Sequence, residues 1–166
     1  MPNQNQQKGF TLIETLAYIA IIGVFIGATM VMTNALLGSS NKIDTRTSLL
    51  EDVRFVEQKF KWAVRGADQI NIPSVGSSGT TLSVDKTGFS SNPIVLDFDN
   101  ETIYMKIGNG EFIPITSDRT KISDLNFTTY NYADETHKTV RLQAVFESTN
   151  ITQPASFLLD SFVNTY

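Results

Sequence analysis

The side chains that most often carry out chemistry are scarce in this sequence. Its 166 residues contain no cysteine and a single histidine, His137. Without cysteine the chain forms no disulfide, no thiolate zinc site and no cysteine nucleophile. One histidine excludes a histidine-rich metal site and leaves little basis for a catalytic triad or dyad. No serine lies in the G-x-S-x-G context of a hydrolase nucleophile. The residue types therefore argue against an enzyme.

One cluster of oxygen-bearing side chains has the ligand types that Ca²⁺ prefers: Asp97, Asp99, Asn100 and Glu101. The cluster lacks the spacing and the glycine of an EF-hand loop. Asp and Asn are common in tight turns because their short side chains hydrogen-bond to the nearby backbone. We therefore expect a turn at this position, and the sequence predicts no metal and no cofactor.

The charges divide the chain near residue 40. The formal net charge of −4 argues against direct nucleic-acid binding, which favours a basic surface. Residues 1–41 carry only Lys8 and Glu14, and the 27 residues from Thr15 to Asn41 carry no charge. About 20 apolar residues in a helix cross the roughly 30 Å hydrocarbon core of a bilayer. The apolar run, Phe10–Leu37, is therefore long enough to span a membrane.

Three interpretations of this run compete. A secretory signal peptide has a shorter apolar region than this one and no carboxylate at its start. A plain single-pass anchor explains the length but not Glu14. On insertion scales a carboxylate costs about 2.5–3.5 kcal/mol at mid-bilayer and less near the end of a span, where it still requires a partner. The third interpretation follows from the residues that surround Glu14.

The stretch Lys8-Gly9-Phe10-Thr11-Leu12-Ile13-Glu14 resembles the processing motif of type IV prepilins and type II secretion pseudopilins. The resemblance implies that a membrane-embedded prepilin peptidase cuts between Gly9 and Phe10 on the cytoplasmic side. The same enzyme then acts as a methyltransferase on the new amino terminus of Phe10. Glu14 becomes the fifth mature residue, which is acidic in that family. Lys8 in the short leader also favours a cytoplasmic amino terminus.

The chemistry of the residues agrees with this resemblance. Gly9 has no side chain, so an active site can approach its carbonyl closely. Cleavage would create an ammonium at Phe10, and the family implies that Glu14 of a neighbouring helix pairs with it, removing the cost of an unpaired charge. Gly23 and Gly27 form a small-xxx-small pair that lets helices approach closely. Glycine is also simply common in membrane helices, and both explanations stay open.

The elements that carry these residues can be predicted from periodicity. After Gly38 an amphipathic pattern resumes, and one long helix is expected over residues 10–68, with a bend possible near Gly38. Its buried face is predicted to consist of Leu49, Val53, Val56, Phe60, Val64 and Ala67. Residues 74–80 are expected to form a flexible connector. Beyond the helix a period of two predicts strands at Gln69–Ile72, Thr81–Val84, Pro93–Phe98, Thr102–Ile107, Phe112–Ile115, Leu125–Tyr132, Val140–Phe146 and Ser156–Phe162.

The predicted fold class is α+β. A long helix, apolar in its first half, packs on a C-terminal antiparallel sheet. We expect a leader at 1–9, a membrane and assembly segment at 10–37, an amphipathic helix at 38–68 and a β-rich domain at 69–166. The C-terminal half resembles, less specifically, the globular domains of minor pilins and minor pseudopilins.

The predicted function is that of a structural, non-enzymatic subunit, a minor one by preference, of a type IV pilus or related filament. Its expected partners are prepilin peptidase/methyltransferase and other pilin or pseudopilin subunits. It is expected in the cytoplasmic membrane as a single-pass protein, and later in a cell-surface or periplasmic filament. The alternatives are a type II secretion or competence pseudopilin and, from another class, a single-pass membrane-anchored binding module.

Overall fold

The structure is a computed structural model. It describes residues 11–131, 138–152 and 154–165, and the side chains of residues 39–42 are not described. The chain divides into two units, residues 1–41 and residues 42–166. One helix and nine strands form the described part of the chain. The helix, α1, covers Leu12–Val64. The strands are β1 (Gln69–Ile72), β2 (Ser78–Gly79), β3 (Thr81–Asp85), β4 (Ile94–Asp99), β5 (Thr102–Ile107), β6 (Ile113–Pro114), β7 (Thr120–Asn131), β8 (Lys138–Ser148) and β9 (Ser156–Asn164).

The helix ends four residues earlier than the sequence predicts. Its last residue is Val64, and Gly66 then adopts a φ of 70°. That left-handed conformation is cheap only for glycine, which makes Gly66 a helix terminator. The amide of Ala67 donates to the carbonyl of Val64 at 3.0 Å, which closes the last turn. The predicted end near residue 68 was wrong because the helix already stops two residues before Gly66.

The predicted buried face of the second half of α1 is confirmed. Five residues of the helix, Leu49, Val53, Val56, Phe60 and Val64, are buried, and Ala67, just beyond its end, is buried as well. They join one hydrophobic core with the inward residues of the strands. Phe60 on the helix packs against Phe127 of β7, with ring centroids 6.1 Å apart. The spacing of three and four residues therefore identified the face that packs on the sheet.

The strands form two antiparallel sheets where the sequence suggested one. The first has the order β1-β3-β4-β5-β6 and the second the order β2-β7-β8-β9. The predicted connector was wrong at Ser78 and Gly79, because these residues form β2 and pair with Thr128 and Phe127 of β7. A strand of two residues has too few side chains to show a period of two, so its partner reveals it.

Strand β7 begins at Thr120, five residues before the predicted start at Leu125. Its register against β8 shifts between Ile122 and Asp124. The bulge places buried Ile122 and buried Leu125 three residues apart and breaks the period of two, which hid the first part of the strand. The predicted end at Tyr132 lies outside the described residues.

The predicted turn between β4 and β5 is confirmed. Asp99 pairs with Thr102, which leaves Asn100 and Glu101 as a two-residue loop. Their φ values, 47° and 62°, both lie in the left-handed region, as in a type I′ hairpin turn. The amide of Ile122 donates to the carbonyl of Glu101 at 3.0 Å, which ties this turn to β7 of the other sheet.

Candidate functional site: the uncovered apolar segment of the helix

The first half of α1 is the most unusual surface of the molecule. Its large apolar side chains from Leu12 to Leu37 are all exposed, and Val24 and Phe25 keep 75% and 69% of their surface uncovered. Contiguous apolar surface of this kind marks an interaction with lipid or with another protein. The helix is long and apolar enough to cross a membrane, judged by length and composition. The observed segment therefore has the properties of a surface that is covered only by lipid or by a partner.

The start of the helix is capped by Thr11. The amide of Glu14 donates to the carbonyl of Thr11 at 3.1 Å and lies 3.4 Å from its hydroxyl oxygen. The amide of Thr15 donates to the same carbonyl at 3.2 Å. Thr at the cap with Glu three residues later is the sequence pattern of a capping box, which satisfies amides that have no partner within the helix. Glu14 is thereby held within the first turn.

The carboxylate of Glu14 lies on the exposed surface of this turn. The hydroxyl of Tyr18 donates to Glu14 Oε1 at 3.5 Å, one helical turn away. Among the residues that the structure describes, no Lys or Arg forms a salt bridge with Glu14. A carboxylate next to lipid without a cation is costly. The geometry therefore leaves the carboxylate of Glu14 exposed on the first turn of the helix.

The threonines within the apolar segment satisfy their own hydroxyls. Thr29 Oγ1 donates to the carbonyl of Ile26 at 2.9 Å, and Thr33 Oγ1 donates to that of Thr29 at 2.9 Å. Such bonds to the preceding turn let Thr lie in a helix that has no access to water. The polar atoms of these two residues are therefore compatible with an apolar environment.

The two glycines singled out in the sequence face open space. A Cβ added at Gly23 or at Gly27 would meet no atom within 4 Å. Glycine in a helix interior costs about 1 kcal/mol relative to alanine. Packing among the described residues therefore does not require glycine at either position.

Comparison with known families assigns this region. The family model "Prokaryotic N-terminal methylation motif" matches residues 4–30. The chain carries the N-terminal methylation motif of the type IV pilin and pseudopilin family. No curated protein and no solved structure matches the chain. The long N-terminal helix and the C-terminal antiparallel sheets agree with the α+β pilin-like fold expected from the sequence.

Several properties of the pilin-like chain follow at the level of the family. The motif implies processing by prepilin peptidase, and pilins are typically structural subunits without enzymatic activity. The apolar helix is consistent with a membrane-anchored pilin before assembly. Within the described ranges, no group of three His, Cys, Asp or Glu side chains is placed to hold a metal ion. His137, Gly9 and Phe10 lie outside those ranges.

Sequence reasoning missed one polar site in the globular part of the pilin-like chain. Asp52 on α1 accepts hydrogen bonds from the hydroxyl of Ser117 at 2.6 Å and from that of Thr120 at 2.5 Å. The amide of Ser117 lies 3.4 Å from the same oxygen. The contact fixes the loop before β7 to the helix. No local sequence pattern shows this role of Asp52, because its two hydroxyl donors lie 65 and 68 positions away in the chain.

Proposed function

We propose that the chain is a minor structural subunit of a type IV pilus or a related filament. Residues 1–9 form a leader, cleavage falls between Gly9 and Phe10, and Phe10 becomes the N-methylated terminus. Residues 10–37 anchor the subunit in the cytoplasmic membrane and then pack into the filament. Residues 38–64 continue the helix, and 69–166 form the displayed domain. The observation that carries the proposal is the methylation motif at 4–30, placed at the start of an uncovered apolar helix.

Glu14 then has a specific role in assembly. The ammonium created at Phe10 meets Glu14 of a neighbouring helix, so each charge that lies next to lipid gains a partner. The exposed carboxylate in the first turn of α1 supports this role. The pair selects the register between helices more than it adds stability, because desolvating two charges offsets most of their attraction. Gly23 and Gly27 provide close approach further along the same interface.

The absence of enzymatic activity and the preference for a minor subunit rest on the sequence. The chain offers no catalytic constellation, so we infer that it is the substrate of the peptidase and methyltransferase. It has no cysteine pair and no proline between Pro2 and Pro73, unlike many major pilins. After assembly the subunit lies in a cell-surface or periplasmic filament. The same sequence features would also fit a secretion or competence pseudopilin.

The first experiment measures the intact mass and the N-terminal peptide of the protein from native membranes or shed filaments. We expect a chain that begins at N-methylated Phe10. A Gly9→Val variant should keep the leader, whereas Glu14→Ala should be cleaved but fail to enter filaments. A wild-type chain that begins at Met1 or Pro2, with the native peptidase present, would overturn the proposal in favour of a membrane-anchored binding module.

A second experiment separates the filament types. The strain that lacks this chain is scored for surface filaments, for protein secretion and for DNA uptake. Loss of surface filaments supports the pilus assignment. Loss of secretion or uptake with normal surface filaments would instead assign the chain to a secretion or competence pseudopilus.

A further inference from the structure

The loop between β8 and β9 carries the most exposed large apolar side chain in the described part of the chain. Ile151 keeps 96% of its surface uncovered. A single exposed apolar residue is ordinary on a protein surface. Ile151 differs because of the place of its loop in the fold, which two contacts with the helix define.

The loop is held in one shape by local hydrogen bonds. The amide of Asn150 donates to Ser148 Oγ at 3.1 Å, and the amide of Thr152 donates to Asn150 Oδ1 at 3.1 Å. In addition, the amide and the hydroxyl of Thr149, two residues before Ile151, both donate to the carbonyl of Arg119, at 3.0 and 3.1 Å. Bonds on both sides of Ile151 therefore hold it at the tip of the loop.

Two contacts with α1 fix the direction in which this hairpin points. In β9, Ser161 Oγ lies 3.3 Å from Glu57 Oε1, whereas in the loop Asn150 Nδ2 donates to Thr45 Oγ1 at 3.4 Å. Thr45 precedes Glu57 by twelve residues, about 18 Å along a helix. The loop at the end of this hairpin therefore lies beside Thr45, near the beginning of the unit formed by residues 42–166.

In the sequence, Thr45 follows closely after the uncharged segment, Thr15–Asn41. Asn41, its last residue, precedes Thr45 by four residues, which span at most about 14 Å. The 27 uncharged residues are about 40 Å long as a helix, close to the 40–45 Å of a bilayer with its headgroups. Arg46 and Arg119 are exposed in the same region, each lining a cleft beside Leu49. Asp44 lines the cleft of Arg119, so this region carries both signs of charge.

We propose that Ile151 inserts into the outer headgroup region of a phospholipid bilayer while the subunit is still anchored in the membrane. The partner is the lipid surface because Thr45, which the loop contacts, follows the membrane segment by only four residues. An apolar tip next to arginines is suited to an interface where acyl chains and phosphates meet. The contact would hold the globular domain at the membrane until the helix is withdrawn into a filament. This inference rests on the membrane insertion proposed above.

The test uses the full chain in phospholipid vesicles with a fluorophore at one cysteine, since the native chain contains none. The labelled variants are Ile151→Cys at the tip, Ala28→Cys within the apolar segment and Ser90→Cys as the exposed control. Phe89, next to Ser90, packs against Trp62 at 6.0 Å, and Trp62 follows Thr45 by 17 residues, about 25 Å along the helix. Nitroxide lipids at headgroup and deep acyl positions act as quenchers.

We expect the deep quencher to act on position 28, and the headgroup quencher to act on position 151 at least twice as strongly as on position 90. Equal quenching at 151 and 90, with position 28 quenched, would overturn the lipid contact alone. No quenching at 28 would overturn the membrane insertion and this inference together. A label at 151 that is protected only in filaments would identify a contact between subunits instead.

A second variant separates the side chain from the label. A fluorophore at Thr152→Cys reports on the loop while residue 151 is changed. Ile151→Asp should reduce its quenching by headgroup nitroxides at least twofold. The matched change Thr149→Asp replaces a hydroxyl that already bonds within the protein and should have a smaller effect. Equal quenching with Ile and Asp at position 151 would contradict the proposal.

Discussion

Asp52 on α1 and Ser117 in the loop before β7 are joined by a hydrogen bond of 2.6 Å, although 65 residues separate them in the chain. The same carboxylate accepts from Thr120. One side chain of the helix therefore holds the start of the longest strand. The contact therefore joins the second half of α1 to the sheet formed by β2, β7, β8 and β9.

Replacing Asp52 should destabilise the domain. Asp52→Ala leaves two hydroxyls without their acceptor, and we expect the free energy of unfolding to fall by about 1–3 kcal/mol. Denaturant unfolding in detergent, followed by the fluorescence of Trp62, the single tryptophan, measures the change. Glu51→Ala, at the exposed neighbouring position, is the control and should change stability little. Equal losses for both variants would mean that the carboxylate is not a specific contact.

The ion pair on the outer face of the second sheet predicts a pH dependence. Arg141 donates two hydrogen bonds to Asp160, at 2.9 and 2.7 Å, and these bonds lower the pKa of the Asp160 carboxyl. A lowered pKa in the folded state adds stability above the unfolded value of about 3.9. That contribution disappears as the pH falls through the folded pKa.

We therefore expect the melting temperature of wild type to exceed that of Asp160→Asn slightly at pH 7, with the difference vanishing in strong acid. The pKa of Asp68 is also lowered, because the amide of Thr87 donates a hydrogen bond to its carboxylate. Since both proteins contain Asp68, the difference between them reports on Asp160. High salt should reduce the difference, because both partners of the pair are partly exposed. A difference that persists unchanged at low pH would show that the loss comes from packing and not from charge.

The turn between β4 and β5 should be sensitive to the backbone conformation of Asn100. Its φ is 47°, a conformation that costs a β-branched residue about 1–2 kcal/mol. Asn100→Val should lower the free energy of unfolding by that amount, and Asn100→Gly should not lower it. Asn109→Val in the loop after β5 is the matched control, because Asn109 does not have a positive φ. Equal effects of valine at both positions would contradict this explanation.

The glycines of the apolar segment should matter for assembly and not for the single chain. A Cβ at Gly27 meets no atom within 4 Å, so Gly27→Ala should leave the helical content of the detergent-solubilised monomer unchanged or raise it. Gly27→Leu should lower the yield of filaments at least tenfold if a second helix approaches there. Ala28→Leu, one position along, is the control. Equal yields for the two leucine variants would show that the glycine is a general feature of membrane helices.

Local sequence signals were sufficient for most of the helix and for several of the strands and turns. The uncharged run, the buried face from Leu49 to Ala67 and the turn at Asn100 and Glu101 depend on residues that are near one another in the chain. The limits of Gln69–Ile72 and Thr102–Ile107 were predicted correctly for the same reason. The methylation motif at 4–30 was also recognisable from the sequence, since its residues are contiguous.

The arrangement of these elements depended on contacts between distant residues. The pairing of Ser78 with Thr128 and the hydrogen bond between Asp52 and Ser117 join residues 50 and 65 positions apart. Asn150 and Thr45, which bring Ile151 to one end of the domain, are 105 positions apart. No periodicity records such pairs, because their geometry is set by how the helix and the sheets share one core. The chain thus specifies its apolar segment and most of its elements locally, whereas packing decides which distant residues meet and which side chains stay exposed.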